Sequence, residues 1–314
     1  MDIFKVFNLS KYKFLLKAKE DLILPPYKGS TLRGGFGITF RKICCFNKKN
    51  GCSDCSLKEK CAYAYIFETS PQKNSQKLRN IREIPRPFII EPPLETKTNY
   101  KKDESLEFNL ILIGKAIEYL PYFVFTFKEL GNIGLGKNRG KFELDRICDF
   151  KKNKVYDKED DILRNFDSRI NFEEIINYYS NLDSLSLNFL TPTRIKIKND
   201  LIVKPEFHIL IRALLHRFSA LSYFHCQAEL KLDYNLLISQ AERIRIKEDN
   251  LKWLDWERYS SRQNTRMKFG GFVGRITYEG NFKEFLPLLL LGQFTHIGKN
   301  CTFGLGKYEI LKEG

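Results

Sequence analysis

The chain reads as an α+β protein of two tandem ferredoxin-like domains with glycine-rich loops. Three observations predict this. A helix, a glycine-rich loop and a strand occur twice; each half opens with a strand followed by a helix; and the second half runs strand, helix, strand pair, helix, strand, which is the ferredoxin-like order.

The repeat is the strongest of the three. Glu118-Tyr-Leu-Pro121 opens an apolar run to Leu130, followed by GNIGLGKNRGKFEL ending at Leu144. Glu284-Phe-Leu-Pro287 opens another, followed by HIGKNCTFGLGKYEI ending at Ile310. Glu118 and Glu284 are separated by the same interval as Gly140 and Gly306, so both ends of the motif keep register. Between them Gly136-Lys137-Asn138 and Gly298-Lys299-Asn300 match, with a slip of four residues.

The first half opens with YKFLLKA (Tyr12 to Ala18), which alternates as a strand, then the turn LPPYKGS and a helix over Thr31 to Ile43. The second opens with LSLNFL (Leu185 to Leu190), the turn TPTRIK, and a helix signalled by Pro205 and by Ile209, Ala213 and Leu214. MKFGGFVGRITYEGNF reads as a hairpin around Gly270-Gly271 and Gly280. The charged stretch KKNKVYDKEDD (Lys151 to Asp161) carries no core pattern and predicts a boundary. The domains are therefore 1–160, holding a cysteine cluster (44–61) and an irregular insertion (71–105), and 161–314, holding the glycine-rich loop 296–307.

Composition bounds the function. At 314 residues, with 43% hydrophobic residues, 26 Phe and 15 Tyr, the chain is neither a disordered tail nor a low-complexity scaffold. Its longest aliphatic run, Leu288 to Leu291, is far below the roughly 20 residues that span a bilayer. The N-terminal MDIFKVFNLSKYKF lacks the apolar core of a signal peptide, so a cytoplasmic location is expected. Fifty-three Lys and Arg against 38 Asp and Glu leave a net charge of +15, which favours a polyanionic partner through phosphate neutralisation and counterion release. A lysine-rich proteome would give the same sign.

The two glycine loops offer close backbone approach, with amide and lysine donors for phosphate, although a tight helix-to-strand turn also needs glycine. Neither is a Walker loop, because GxxxxGK[ST] is absent and the glycines follow a helix. RYSSRQNTRMKFGGFVGR places Arg258, Arg262, Arg266, Lys268 and Arg275 together without an acidic residue, with Trp253 and Trp256 just upstream and Tyr259 among them. Arginines for phosphate and aromatics for stacking suit RNA. Lys137, Arg139, Asn300 and Lys307 on the loops join the expected RNA contacts.

All four histidines lie in the second half. His208 and His216 share a helix face with Arg212 but stand about 12 Å apart, too far for a shared metal, and read as helix-surface or core residues. His225 beside Cys226 reads as a packing residue. His296 opens the glycine loop beside Lys299 and Asn300, where an imidazole titrating near pH 6.5 would meet a bound phosphate. Proton transfer by His296, with Lys299 stabilising charge, is what RNA cleavage by the adjacent 2′-hydroxyl needs.

Five of the eight cysteines crowd between Cys44 and Cys61. Cys52-x2-Cys55 with Cys61 and Cys45, or Cys44 in its place, makes a four-thiolate set suited to structural zinc, while an iron–sulfur cluster accepts the same donors. No His, Asp or Glu set accompanies the thiolates for open catalytic coordination, and reduced buried cysteines are the plainer alternative. Cys148, Cys226 and Cys301 are isolated.

RYSSRQ, MKFGGFVGRITYEG and HIGKNCTFGLGKYEI resemble the signature segments of the CRISPR-associated endoribonucleases of the RAMP superfamily, the Cas six family, which cut precursor CRISPR RNA within its repeats. LPPYKGSTLRGGFGITFRK, the cysteine cluster and CAYAYIFET are similar to the branch that carries cysteines there. The resemblance covers most of the chain and is weakest across Pro71 to Ser105 and Lys151 to Asn181. It implies a tandem ferredoxin-like fold and a cleavage that needs no metal, in which the 2′-hydroxyl attacks the neighbouring phosphate to leave a 2′,3′-cyclic phosphate and a 5′-hydroxyl. It also implies CRISPR repeat RNA or crRNA as partner, with other Cas proteins of an effector complex. Family members often carry a catalytic histidine near the first helix of the first domain. This chain has none there, which moves the expectation to His296 and Lys299, with Tyr27, Lys28 and Arg33 as first-domain contributors and Lys28 and Arg33 as RNA contacts.

Two rival readings share the basic surface. One is a RAMP subunit that holds crRNA in an effector complex without cutting it; the other is a zinc-dependent nucleic-acid adaptor that binds through its cysteines.

Overall fold

The alternation around Tyr12, Phe14 and Leu16 makes a strand, β1 (Leu9–Ala18), with those side chains buried on one face. This computed structural model describes residues 3–46, 51–52, 55–69, 84–176, 184–198, 200–260 and 265–311. They divide into a first unit, residues 8–170 with 224–227, and a second, residues 1–7, 171–223 and 228–314.

In the first unit β1 is followed by α1 (Gly29–Cys44), β2 (Phe88–Glu91), β3 (Ser105–Ile113), α2 (Leu120–Ile133), β4 (Phe142–Asp149), β5 (Lys154–Asp157) and β6 (Ile162–Leu163). The antiparallel sheet has the order β2-β3-β1-β4-β5-β6, so its first four strands are ferredoxin-like and β5 and β6 extend one edge. Leu32, Phe36 and Phe40 recur every four residues on α1 and are buried; Phe36 and Phe40 meet Phe123 of α2, with Phe36 stacked on Phe123 at 4.6 Å between centroids and on Phe127. Burial of each such side chain contributes about 1.5–3 kcal/mol. A Cβ at Gly37 would stand 2.6 Å from the Phe67 ring, so a glycine is required where this aromatic core is tightest.

The second unit repeats the plan with β7 (Ser184–Thr193), α3 (Phe207–His225), β8 (Arg245–Leu254), β9 (Gly271–Glu279), α4 (Leu286–Thr295) and β10 (Tyr308–Leu311). The last turn of α3 groups with the first unit. Its sheet order, β8-β9-β7-β10, is the ferredoxin-like order again. Leu187 pairs with Ile276 on one side and Ile310 on the other, placing three apolar side chains on one face.

Four expectations change. The charged stretch expected as a linker contains β5, whose Val155 and Tyr156 are buried; the charges sit in the turns on either side and hide a two-residue core signal. The chain divides after Ile170, and residues 1–7 join the second unit. The irregular insertion holds β2, a fully buried four-residue edge strand bracketed by Pro87 and Pro92, which suits proline's lack of a ladder donor; residues 71–83 of it lie outside the described ones. Gly270-Gly271 is not a hairpin turn. Gly271 begins β9, whose partner β8 is a mostly exposed edge strand without apolar alternation, and a smaller hairpin (Glu257–Ser260 with Thr265–Lys268) lies between them.

Candidate nucleic-acid interface

Each glycine-rich loop leaves the end of a helix and docks on the chain that follows its domain's first strand. In the first, the Lys137 amide donates to the Ile23 carbonyl (2.9 Å) and the Leu135 amide to Gly140 (2.9 Å). The Asn138 side chain accepts from the Ile23 amide (3.1 Å) and donates to the Asp21 carbonyl (2.5 Å). In the second, the Lys299 amide donates to the Arg194 carbonyl (3.0 Å), Ile297 to Gly306 (2.9 Å) and Gly306 to Pro192 (3.1 Å). Gly136 and Gly298 hold equivalent places. Their φ angles are 82° and 86°, and a Cβ would strike the carbonyl of Ile23 or of Arg194. The amides of Lys137 and Lys299 are thus used in docking, and anion binding at these positions falls to side chains. Lys137, Arg139 and Lys299 are exposed.

The histidines separate sharply. His296 caps α4 with φ 59°, is 0% exposed, and its Nδ1 lies 3.0 Å from the Leu305 carbonyl. The imidazole expected at the loop surface is thus buried inside the turn, against the Leu305 carbonyl. His225 is buried, with Nδ1 3.3 Å from the Tyr65 hydroxyl and Nε2 2.8 Å from the Pro85 carbonyl. His208 pairs with the Glu206 carboxylate at 3.4 Å. His216 is exposed on α3. Enough protein surrounds its ring that desolvation, followed by the positive charge of Lys299, holds its pKa below the ordinary imidazole value.

The backbone explains why α3 and the second loop meet. A Cβ at Gly292 would stand 2.8 Å from Leu214, so α3 and α4 approach closely there. One turn on, Arg217 Nε donates to the Thr295 carbonyl at 2.9 Å. His216 therefore emerges beside the loop that presents Lys299. Sequence reasoning passed over His216 because it was weighed as half of a metal pair, whereas a phosphate site needs a single imidazole. Arg194 was also missed: its carbonyl receives the Lys299 amide, and its Nη1 donates to the Lys268 carbonyl at 2.7 Å, joining the loop to the base of the small hairpin.

The other expected contacts divide. Lys28 is 0% exposed, and its Nζ donates to the carbonyls of Pro26 (3.2 Å) and Glu95 (2.9 Å). Burial lowers its pKa against the opposing effect of Glu95. The side chain expected on the surface is thus a buried strut between these two carbonyls. The Arg33 guanidinium lies 4.7 Å from the centroid of Phe67, and Tyr27 is half-buried. Arg275 is exposed and donates to Ser186 Oγ at 2.9 and 3.2 Å. Asn300 (φ 64°) turns the chain and accepts from the Phe303 amide, while Lys307 is half-buried with its amide donating to Thr191 Oγ1 (2.9 Å). In the small hairpin Arg258 pairs with Met267 and Arg266 with Tyr259, and Lys268 is exposed; Arg262 lies outside the described residues.

The cysteine donors are all half-buried. Cys44, Cys52 and Cys61 pack against the first core. Burial, then the neighbouring Cys61 and Cys45, push the Cys44 thiol up to about 12, and Cys52 is raised by burial first. Soft thiolates suit a structural metal. As placed, no group of three or more His, Cys, Asp or Glu among the described residues is arranged to hold one.

The geometry defines a tandem ferredoxin-like protein whose two glycine turns present Lys137, Arg139 and Lys299 to solvent. Residues 187–308, which include α3 and the second loop, match the family model described as CRISPR-associated endoribonuclease Cas6. Residues 7–168 match a model described as an N-terminal domain, AF_1859_N. An uncharacterized protein of Archaeoglobus fulgidus is 27% identical over 301 residues, covering 91% of this chain and 92% of that protein. Thermus thermophilus Cas6 (TTHB231) aligns with TM-score 0.55 and 14% identity over 97% of this chain and 99% of that one. A Cas6 (TTHB231) product complex aligns at 0.57 and 15% over 97% and 99%, and a partial Cas6-RT-Cas1–Cas2 complex at 0.58 and 15% over 97% of this chain and 46% of that one. Identities this low show a shared fold. The C-terminal part of the chain, residues 187–308, thus carries a domain of the CRISPR-associated endoribonuclease Cas6 family, joined to an N-terminal domain of the AF_1859_N family at residues 7–168. Among the described residues no helix is long and apolar enough to cross a membrane.

Proposed function

We propose that the chain binds CRISPR repeat RNA and cleaves the precursor by attack of a 2′-hydroxyl on the adjacent phosphate, with no catalytic metal, leaving a 2′,3′-cyclic phosphate and a 5′-hydroxyl. The observation that carries this reading is Lys299, exposed on a docked turn within the segment that matches the endoribonuclease family. RNA supplies its own nucleophile, so the protein's task is to orient the sugar and phosphate, move protons and stabilise developing negative charge. An ammonium carried on a turn whose backbone is held in place supplies positive charge for the last of these. His296 supports that turn from beneath. Lys137 and Arg139 on the first loop and Lys268 at the hairpin add phosphate contacts that set register. The cysteine cluster takes no part in this reaction, and a metal bound by its thiolates would serve structure alone. The neighbour solved as a Cas6-RT-Cas1–Cas2 complex supports contact with other Cas proteins, and the cytoplasm is where the precursor transcript would be met.

Purified protein incubated with its cognate repeat RNA in excess EDTA tests this. Cleavage with cyclic-phosphate and 5′-hydroxyl ends is expected. Tight binding without cleavage would favour a guide-holding subunit, and loss of RNA binding on chelation would favour the cysteine-based adaptor.

A further inference from the structure

We propose that His216 takes the 2′-hydroxyl proton at the phosphate held by Lys299, making the second domain's α3 and glycine loop the chemical centre of the molecule. The inference rests on the cleavage reading above and names the group that performs its proton transfer.

Placement of the histidines leads there. His296 and His225 are buried, with ring nitrogens against backbone carbonyls, and His208 is paired with Glu206. His216 alone of the four is exposed beside a cation of a glycine loop. The site is built and not incidental. The Gly292 to Leu214 approach and the Arg217 to Thr295 bond fix α3 against α4, and the Lys299 to Arg194 bond fixes the loop. Arg217 is spent on the Thr295 carbonyl, and Arg212, one turn before His216, is exposed on the same face.

The chemistry follows from the pairing. With its pKa held down by desolvation and by Lys299, the imidazole is neutral at neutral pH and able to accept a proton. The 2′-oxygen bonds to phosphorus as its proton passes to the imidazole. The bond from phosphorus to the 5′-oxygen breaks, and that oxygen takes a proton from water. Lys299 offsets the charge that builds on the phosphoryl oxygens.

The test compares wild type, His216→Ala and His216→Gln in single-turnover cleavage of the cognate repeat RNA at saturating enzyme, with RNA affinity measured separately and imidazole added to the alanine variant. The expected result is a rate loss of about 10²–10⁴-fold in both variants with affinity unchanged, and partial recovery of His216→Ala on adding imidazole. Unchanged rates in both variants would overturn the assignment and leave the nuclease reading standing. So would a full rate with glutamine, which cannot take the proton, or a loss explained by weaker RNA binding. Absence of cleavage by wild type would instead remove the reading on which the assignment rests.

Discussion

The two glycine loops are the same device put to different use. Both place Gly-Lys-Asn after a helix, and both spend the lysine amide on a carbonyl beyond the first strand, Ile23 in one half and Arg194 in the other. They differ in what surrounds the lysine. Lys137 stands next to exposed Arg139, with Asn138 stitched to Asp21 and Ile23; the one histidine grouped with that unit, His225, is buried. The charge of Lys299 acts on His216, and the loop that carries it is held by the buried His296. A duplicated scaffold can therefore hold one loop for binding and reserve the other for chemistry, because the loop itself is fixed by backbone bonds that do not depend on its neighbours.

The largest effect that can break this contrast is the pair Lys299→Ala and Lys137→Ala. Loss of a positioned charge stabiliser lowers a rate by about 10²–10³-fold, whereas loss of a phosphate contact acts on affinity. Single-turnover rates should therefore fall steeply for Lys299→Ala and stay near wild type for Lys137→Ala, whose cost appears in the salt dependence of binding. Since Lys299 also helps to hold the His216 pKa down, its removal should move the acid limb of the pH–rate profile upward. Equal rate losses for the two lysines would end the distinction between the loops.

A smaller effect treats the loops alike. Gly136→Ala and Gly298→Ala each force a side chain into φ near 80° against a carbonyl, a backbone strain of roughly 1–3 kcal/mol before the overlap is counted. Thermal unfolding should show comparable losses for both, while cleavage suffers more from Gly298→Ala because Lys299 rides on it. If only one substitution destabilises, the two turns are not equivalent structures.

The parts of this design that repeat locally were legible. The helix, loop and strand recurred with matching ends, and the glycines, proline and apolar spacing of α2 and α4 announced themselves without a partner. What failed to show was whatever depends on tertiary surroundings. Lys28 carries the sequence signature of a phosphate contact beside a glycine, yet the chain around Glu95 folds over it and claims its donors. His296 sits in the loop most suited to chemistry and turns inward, because a residue with positive φ at a helix end directs its side chain by backbone geometry and not by composition. β8 escaped notice because an exposed edge strand needs no alternation to be held by its neighbour.

The cysteine cluster is the second difference between the halves, and the smallest effect on cleavage is expected there. The Cys44 thiol, pushed up to about 12 by burial and by Cys61 and Cys45, stays protonated at neutral pH unless a cation holds the thiolate. A metal would reverse that order, since binding deprotonates its ligands and adds its free energy to folding. Protein purified without chelator should therefore contain about one metal ion per chain, and its removal should lower the melting temperature while leaving the single-turnover rate unchanged. Cys44→Ser and Cys45→Ser identify the fourth ligand, since the one that completes the set with Cys52, Cys55 and Cys61 loses the metal. Protein that carries no metal, and whose cysteines alkylate at the same rate with or without added zinc, would make the cluster ordinary packing. A cleavage rate that falls with the metal would instead draw the first domain into the chemistry and erase the division of labour between the two halves.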